Sequence, residues 1–117
     1  MAELLRVCWF EITGEIWTVG LSPGTLYEIV FVVKIKDDGN IREFSLKLTI
    51  VPPRSKSITR YESLKDKPLK NWIEIQVGEF MMSPQMVGHM KFFIEELGPE
   101  WKSGLFVKSV IIRPKNL

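Results

Sequence analysis

His89 is the single histidine of the chain, and it stands between Gly88 and Met90 with no Cys, Asp or Glu at ligand spacing. A metal centre wants three or four donors, and a nucleophilic centre wants a base and a group that orients it. Neither set can be assembled, so His89 is expected to be a surface or turn residue. No Walker-type or Rossmann glycine loop occurs. Glu11 and Glu74 are two carboxylates whose strand phase would let them share a sheet face and flank a glycosidic bond, but no catalytic signature surrounds either. The expectation is a protein without catalytic residues, metal or cofactor.

Recognition chemistry is better represented. In WFEI (residues 9–12) and WIEI (residues 72–75) strand alternation sets Trp9 beside Glu11 and Trp72 beside Glu74 on a common face. An aromatic ring offers a flat apolar platform, the C–H face of a pyranose can lie on it, and a carboxylate accepts hydrogen bonds from hydroxyl or amide groups at the sugar's edge. The alternative is that these rings hold the sheets together or line a dimer seam, since Trp is large and mostly buried. Trp17 precedes a turn-rich segment, where exposure at a ligand or partner surface competes evenly with packing. Trp101-Lys102-Ser103 with Glu95 brings a ring, a cation, a hydroxyl and an acceptor close together in sequence; an anchor at the sandwich end is the competing role. Residues 52–70 hold six basic side chains against two acidic ones. Arg54, Lys56 and Arg60, with Tyr61 interleaved, are the candidate nucleic-acid patch, whose binding would be steeply salt-dependent.

These groups must be positioned by strands. Period-two alternation dominates. It is clear over residues 7–13, over 26–36 with Tyr27, Ile29, Phe31, Val33 and Ile35 on one side, and over the return strand to Ile50 with Phe44, Leu46, Leu48 and Ile50 inward. It recurs in 71–77, 91–96 and 105–113. Asp37-Asp38-Gly39-Asn40 is expected to close a hairpin. Leu21–Thr25 and Leu97-Gly98-Pro99 are turns, and Pro52-Pro53 halts regular structure. The stretch from there to Lys70 has no clear periodicity and is expected to be a long basic loop. Ser83–Val87 can form one helical turn. The expected fold is all-β, an antiparallel β-sandwich occupying residues 1–117 as one domain.

At 117 residues, with 45% hydrophobic and 26% charged side chains and a formal charge of +2, the chain is of ordinary globular composition. The total demands neither a nucleic-acid nor a membrane partner. One cysteine, Cys8, cannot form an internal disulfide, and it alternates onto the apolar face of its strand. No signal peptide and no apolar run of membrane-spanning length is evident. A cytoplasmic or nucleocytoplasmic protein is expected.

The order of phrases carries more than any one of them. Trp9-Phe10-Glu11-Ile12 with Gly14 comes first, followed by Leu21-Ser22-Pro23 with Thr25 and Tyr27. Then come Trp72-Ile73-Glu74-Ile75 with Gly78-Glu79-Phe80, Trp101-Lys102-Ser103-Gly104-Leu105, and finally Ile112-Arg113-Pro114-Lys115. Together they resemble the plant phloem protein 2 family, the Nictaba-related lectins, over nearly the whole chain. The resemblance implies a jelly roll similar to carbohydrate-binding modules, found in the cytoplasm or nucleus of phloem cells and often dimeric. It implies binding of N-acetylglucosamine oligomers (chitooligosaccharides) or N-glycan cores, with roles in defence. A module for RNA or protein interaction, with weak or no sugar binding, is the alternative it allows. Two glutamates before the Trp-Lys-Ser-Gly phrase are implicated in sugar binding by the family; Glu95 matches the second, and the first falls on Gly88. The family's spaced tryptophans lie ahead of the point where this sequence starts, which leaves Trp17 to supply a ring. The expected carbohydrate-binding residues are therefore Trp17, Glu95, Trp101, Lys102 and Ser103.

Overall fold

The computed structural model describes residues 2–4, 10–36, 39–96 and 104–115. Among these residues eight strands follow one another: β1 (Ala2–Leu4), β2 (Phe10–Trp17), β3 (Leu26–Ile35), β4 (Ser45–Val51), β5 (Ile58–Ser63), β6 (Trp72–Met81), β7 (His89–Glu96) and β8 (Leu105–Pro114). Single 3-10 turns at Ile41–Glu43 and Pro84–Met86 are the helical elements among the described residues, the second within the expected helical turn. One sheet has the order β1-β8-β3-β6 and the other β2-β7-β4-β5, with every pairing antiparallel. This interleaved order is that of an eight-stranded jelly roll, so the expected all-β sandwich is the fold.

The alternation seen in the sequence becomes the core. Tyr27, Ile29, Phe31, Val33 and Ile35 of β3 face Leu46, Leu48 and Ile50 of β4 and Phe92 and Ile94 of β7, all buried. Gly14 of β2 leaves room for the Phe92 ring: a Cβ at that position would lie 2.4 Å from Phe92 Cε2. Phe31 and Phe92 meet edge to face across the sheets at 5.9 Å, a favoured aromatic geometry. The turn after β2 is fastened by the Tyr27 hydroxyl, which accepts from the Ser22 N–H at 2.8 Å.

Three expectations change. β3 and β4 do not form a hairpin: they lie in different sheets, because the connection contains the fully buried Ile41, whose 3-10 turn carries the chain across the core edge. The stretch 52–70 is not one loop. It contains β5, an edge strand in which no residue is fully buried, so pairing with β4 comes from backbone bonds without an apolar face. Finally, Glu11 of β2 and Glu74 of β6 belong to opposite sheets, so they share no face and cannot flank one bond.

Candidate functional site on the outer face of the β2-β7-β4-β5 sheet

Strand register stacks the outward side chains of this sheet into rows. Trp17 lies opposite His89, and Glu15 opposite Lys91, which in turn is opposite Val51. Thr13, Phe93, Thr49 and Thr59 form the next row, and Glu11, Glu95, Lys47 and Tyr61 the one after it. Directly paired residues have Cβ atoms about 5 Å apart, so each row is a set of touching neighbours.

Glu95 is the most unusual member. It is 7% exposed, and among the described residues its one partner is Lys47, whose Nζ lies 3.5 Å from Oε1. A carboxylate enclosed to that degree normally gathers several donors. Glu11 on the adjacent strand adds a second carboxylate. Tyr61, 67% exposed on the edge strand β5, provides a ring two strands from Glu95. In the adjoining row, the Thr49 and Thr59 hydroxyls are paired at 3.2 Å. Acceptors, a cation, hydroxyls and an open ring at one end of a rigid sheet can hold a polar ligand that has flat faces.

Trp17 is exposed, at 70%, and it belongs to the same face, but it does not adjoin Glu95. It lies six positions along β2 from Glu11, which is opposite Glu95, roughly 20 Å at the usual strand rise. Its neighbours are His89, whose ring is 4.8 Å away and tilted by 30°, and, through His89, Glu15: Nε2 and Oε2 are 2.5 Å apart. His89 is thus the first residue of β7 and not a turn residue. The arrangement is fixed from below by Thr18, which is fully buried. Its N–H donates to the Gly88 carbonyl at 2.9 Å, its hydroxyl donates to the Met86 carbonyl, and the same oxygen accepts from the Gly88 N–H at 2.9 Å.

Trp101, Lys102 and Ser103 lie outside the described residues, as do Trp9 and Cys8. Trp72 does not hold the sheets together. It is 37% exposed on the outer face of the other sheet, with the Lys34 and Lys108 ammoniums 4.7 and 5.5 Å from its ring centre. Glu74 on that face is gripped by the Arg113 guanidinium, which donates Nη1 at 3.0 Å and Nη2 at 2.5 Å while its Nε donates to Glu28 at 2.9 Å.

The basic stretch is engaged in structure. Arg54 Nη1 donates to the Val87 carbonyl at 2.7 Å, and Arg60 Nη1 to the Gln76 carbonyl at 2.5 Å. Arg60 also pairs with Glu62, which Lys67 meets at 2.8 Å. Burial pushes the Glu62 carboxyl up, but hydrogen bonds from Lys67 and Arg60 outweigh it and lower the net value. Of the three patch candidates Lys56 is the exposed one for which no such tie is seen among the described residues.

Sequence spacing groups Tyr61 with the basic patch and does not place Tyr61, Lys47 and His89 on one face with Glu95, because cross-strand neighbours are set by register. The outward phase of Lys47 follows from the alternation of its own strand, and that of Tyr61 is visible only once β5 is known to be a strand.

Comparison with known proteins agrees with this architecture. The family described as Phloem protein 2 matches residues 1–114. Protein PHLOEM PROTEIN 2-LIKE A2 of Arabidopsis thaliana is 41% identical over 99% of this chain and 61% of its own length. PHLOEM PROTEIN 2-LIKE A1 of the same plant is 38% identical, over 97% and 47%. A protein of Luffa acutangula named Lectin is 35% identical, over 99% and 56%. The chain thus spans about half to three-fifths of these relatives. With its jelly-roll sheets and a family match from Met1 to Pro114, the chain belongs to the Phloem protein 2 family.

Proposed function

We propose that the chain is a non-catalytic glycan-binding domain that takes N-acetylglucosamine oligomers or N-glycan cores on the outer face of the β2-β7-β4-β5 sheet. The observation that carries this reading is Glu95, an almost enclosed carboxylate whose one contact among the described residues is the 3.5 Å ion pair to Lys47, in the same cross-strand row as the open Tyr61 ring. A Luffa relative named Lectin supports the ligand class. In this reading the Glu95 carboxylate accepts from acetamido N–H or hydroxyl groups, Lys47 orients it and donates to hydroxyl oxygens, and the Tyr61 ring receives the apolar face of a pyranose. Trp101, Lys102 and Ser103 follow β7 in sequence and remain proposed members of the site.

Isothermal calorimetry with chitotriose tests the proposal. A charge-assisted hydrogen bond contributes about 1.5–3 kcal/mol, so Glu95→Ala is expected to weaken binding by about tenfold to a hundredfold. Absence of binding heat for the wild type at millimolar sugar would remove the proposal.

A further inference from the structure

Trp17 poses a separate question. An indole exposed to 70% is an uncommon surface feature, and it is accompanied by Val19 at 69% and Val87 at 37%, on the segments that Thr18 ties together. The ring is not loose. It rests against His89, the imidazole is held by Glu15, and the backbone beneath is fixed by the Thr18 bonds to Met86 and Gly88. A rigid platform with a carboxylate and an imidazole at its rim repeats the chemistry of the Glu95 end: a flat apolar face, an acceptor, and a polar group able to donate. Lys91, opposite Glu15, supplies the cation that Lys47 supplies at the other end. One row, Thr13-Phe93-Thr49, intervenes between the Glu15–Lys91 row and the Glu95 row, roughly 13 Å of strand, and the Trp17 platform lies roughly 20 Å from the Glu95 row.

We propose that Trp17, His89, Glu15 and Lys91 form a second saccharide-binding site, independent of the Glu95 site on the same sheet face. The proposal rests on the glycan-binding reading above. One chain would then hold two short glycans, or two arms of a branched one, at once. A pyranose stacks on the open indole face, while Glu15 accepts from its hydroxyl or acetamido groups and Lys91 donates to its oxygens.

Chitobiose titrated into nitrogen-15-labelled full-length chain, followed by NMR, tests this. Two separate groups of shifts are expected to move, one at the Lys47, Tyr61 and Glu95 amides, the other at the Trp17 indole N–H and the His89 and Glu15 amides. Trp17→Ala should abolish saturable shifts in the second group and leave the dissociation constant of the first within about twofold, as for distant independent sites. The side chain is on the surface, so the variant is expected to keep its melting temperature, and Glu15→Gln gives a milder second test at the same site. If the first group moves while the Trp17 and His89 signals stay still, the second site does not exist. If Trp17→Ala weakens both groups by the same large factor, the face is one site and the proposal is overturned. If neither group moves, the glycan reading itself fails and the second site fails with it.

Discussion

Thr18 sits beneath the Trp17 platform with no exposed surface, and its hydroxyl joins two segments that are 68 to 70 residues apart in sequence. A buried donor or acceptor stripped of its partner costs about 1–3 kcal/mol. Thr18→Val keeps the shape of the side chain but leaves the Gly88 N–H and the Met86 carbonyl short of a partner. The expected result is a loss of stability in that range, measured by urea denaturation. Trp17 fluorescence should also broaden or shift, since the ring is no longer fixed against His89. The same substitution should spare the Glu95 end, where the contacts come from β4 and β5. Nothing in the local sequence VGLS after Thr18 signals this role. A threonine at a strand end reads as ordinary strand composition, and its partners become visible only through the fold.

At the level of elements, the edge strand β5 depends on more than its ladder. Arg60 reaches from β5 to the Gln76 carbonyl of β6 in the other sheet, and it also pairs with Glu62. It therefore clamps the open side of the sandwich, where β5 and β6 are both sheet edges. Arg60→Ala is expected to lower stability by about 1–3 kcal/mol through the orphaned carbonyl and to speed amide exchange in β5 ahead of β4. If the cation serves a polyanion instead, the variant keeps its stability and loses affinity in a gel-shift series whose salt slope flattens. Sequence reasoning recovered the strands with alternating apolar faces, β3, β4, β6, β7 and β8, to within a few residues, because burial of one face imposes that alternation. It missed β5, whose Ile58-Thr59-Arg60-Tyr61 has the β-branched and aromatic content of a strand but no buried face. It also missed that β3 and β4 part company, because an Asp-Asp-Gly-Asn turn can close a hairpin or begin a crossover, and the choice was made by Ile41 seeking the core. The site was legible to the same extent. Glu95 was found through family resemblance and Trp17 through its place before a turn, whereas Tyr61 and Lys47 needed the register of three strands.

For the molecule as a whole, the two outer faces differ in chemistry, and the difference predicts how the protein responds to acid. The β2-β7-β4-β5 face has the open Trp17 and Tyr61 rings and a carboxylate, Glu95, paired among the described residues with Lys47 alone. The β1-β8-β3-β6 face is laced by ion pairs that join three of its strands and the residue after β8, Arg113 to Glu28 and Glu74 and Lys115 to Glu79, and the Gln76 amide donates a hydrogen bond to Glu28 at 2.9 Å. Hydrogen bonding from Arg113 is the main cause that holds Glu28 and Glu74 below the usual carboxylate range, and Lys115 does the same for Glu79. A carboxyl whose pKa is lower in the folded chain than in the unfolded one binds fewer protons when folded. Its contribution to stability is therefore complete above the unfolded value and is lost progressively as acid protonates it, between about pH 5 and pH 1. The folded state should lose stability over that window, and Arg113→Met should remove part of the loss. Wild type is expected to be the more stable near neutral pH, with the two curves converging as the pH falls toward 2. The face is solvent-accessible, so added salt should narrow the neutral-pH gap. Urea midpoints measured across that range for both proteins check this, and a gap that stays constant with pH would show that Arg113 acts through packing of its stem and not through the carboxylates it holds.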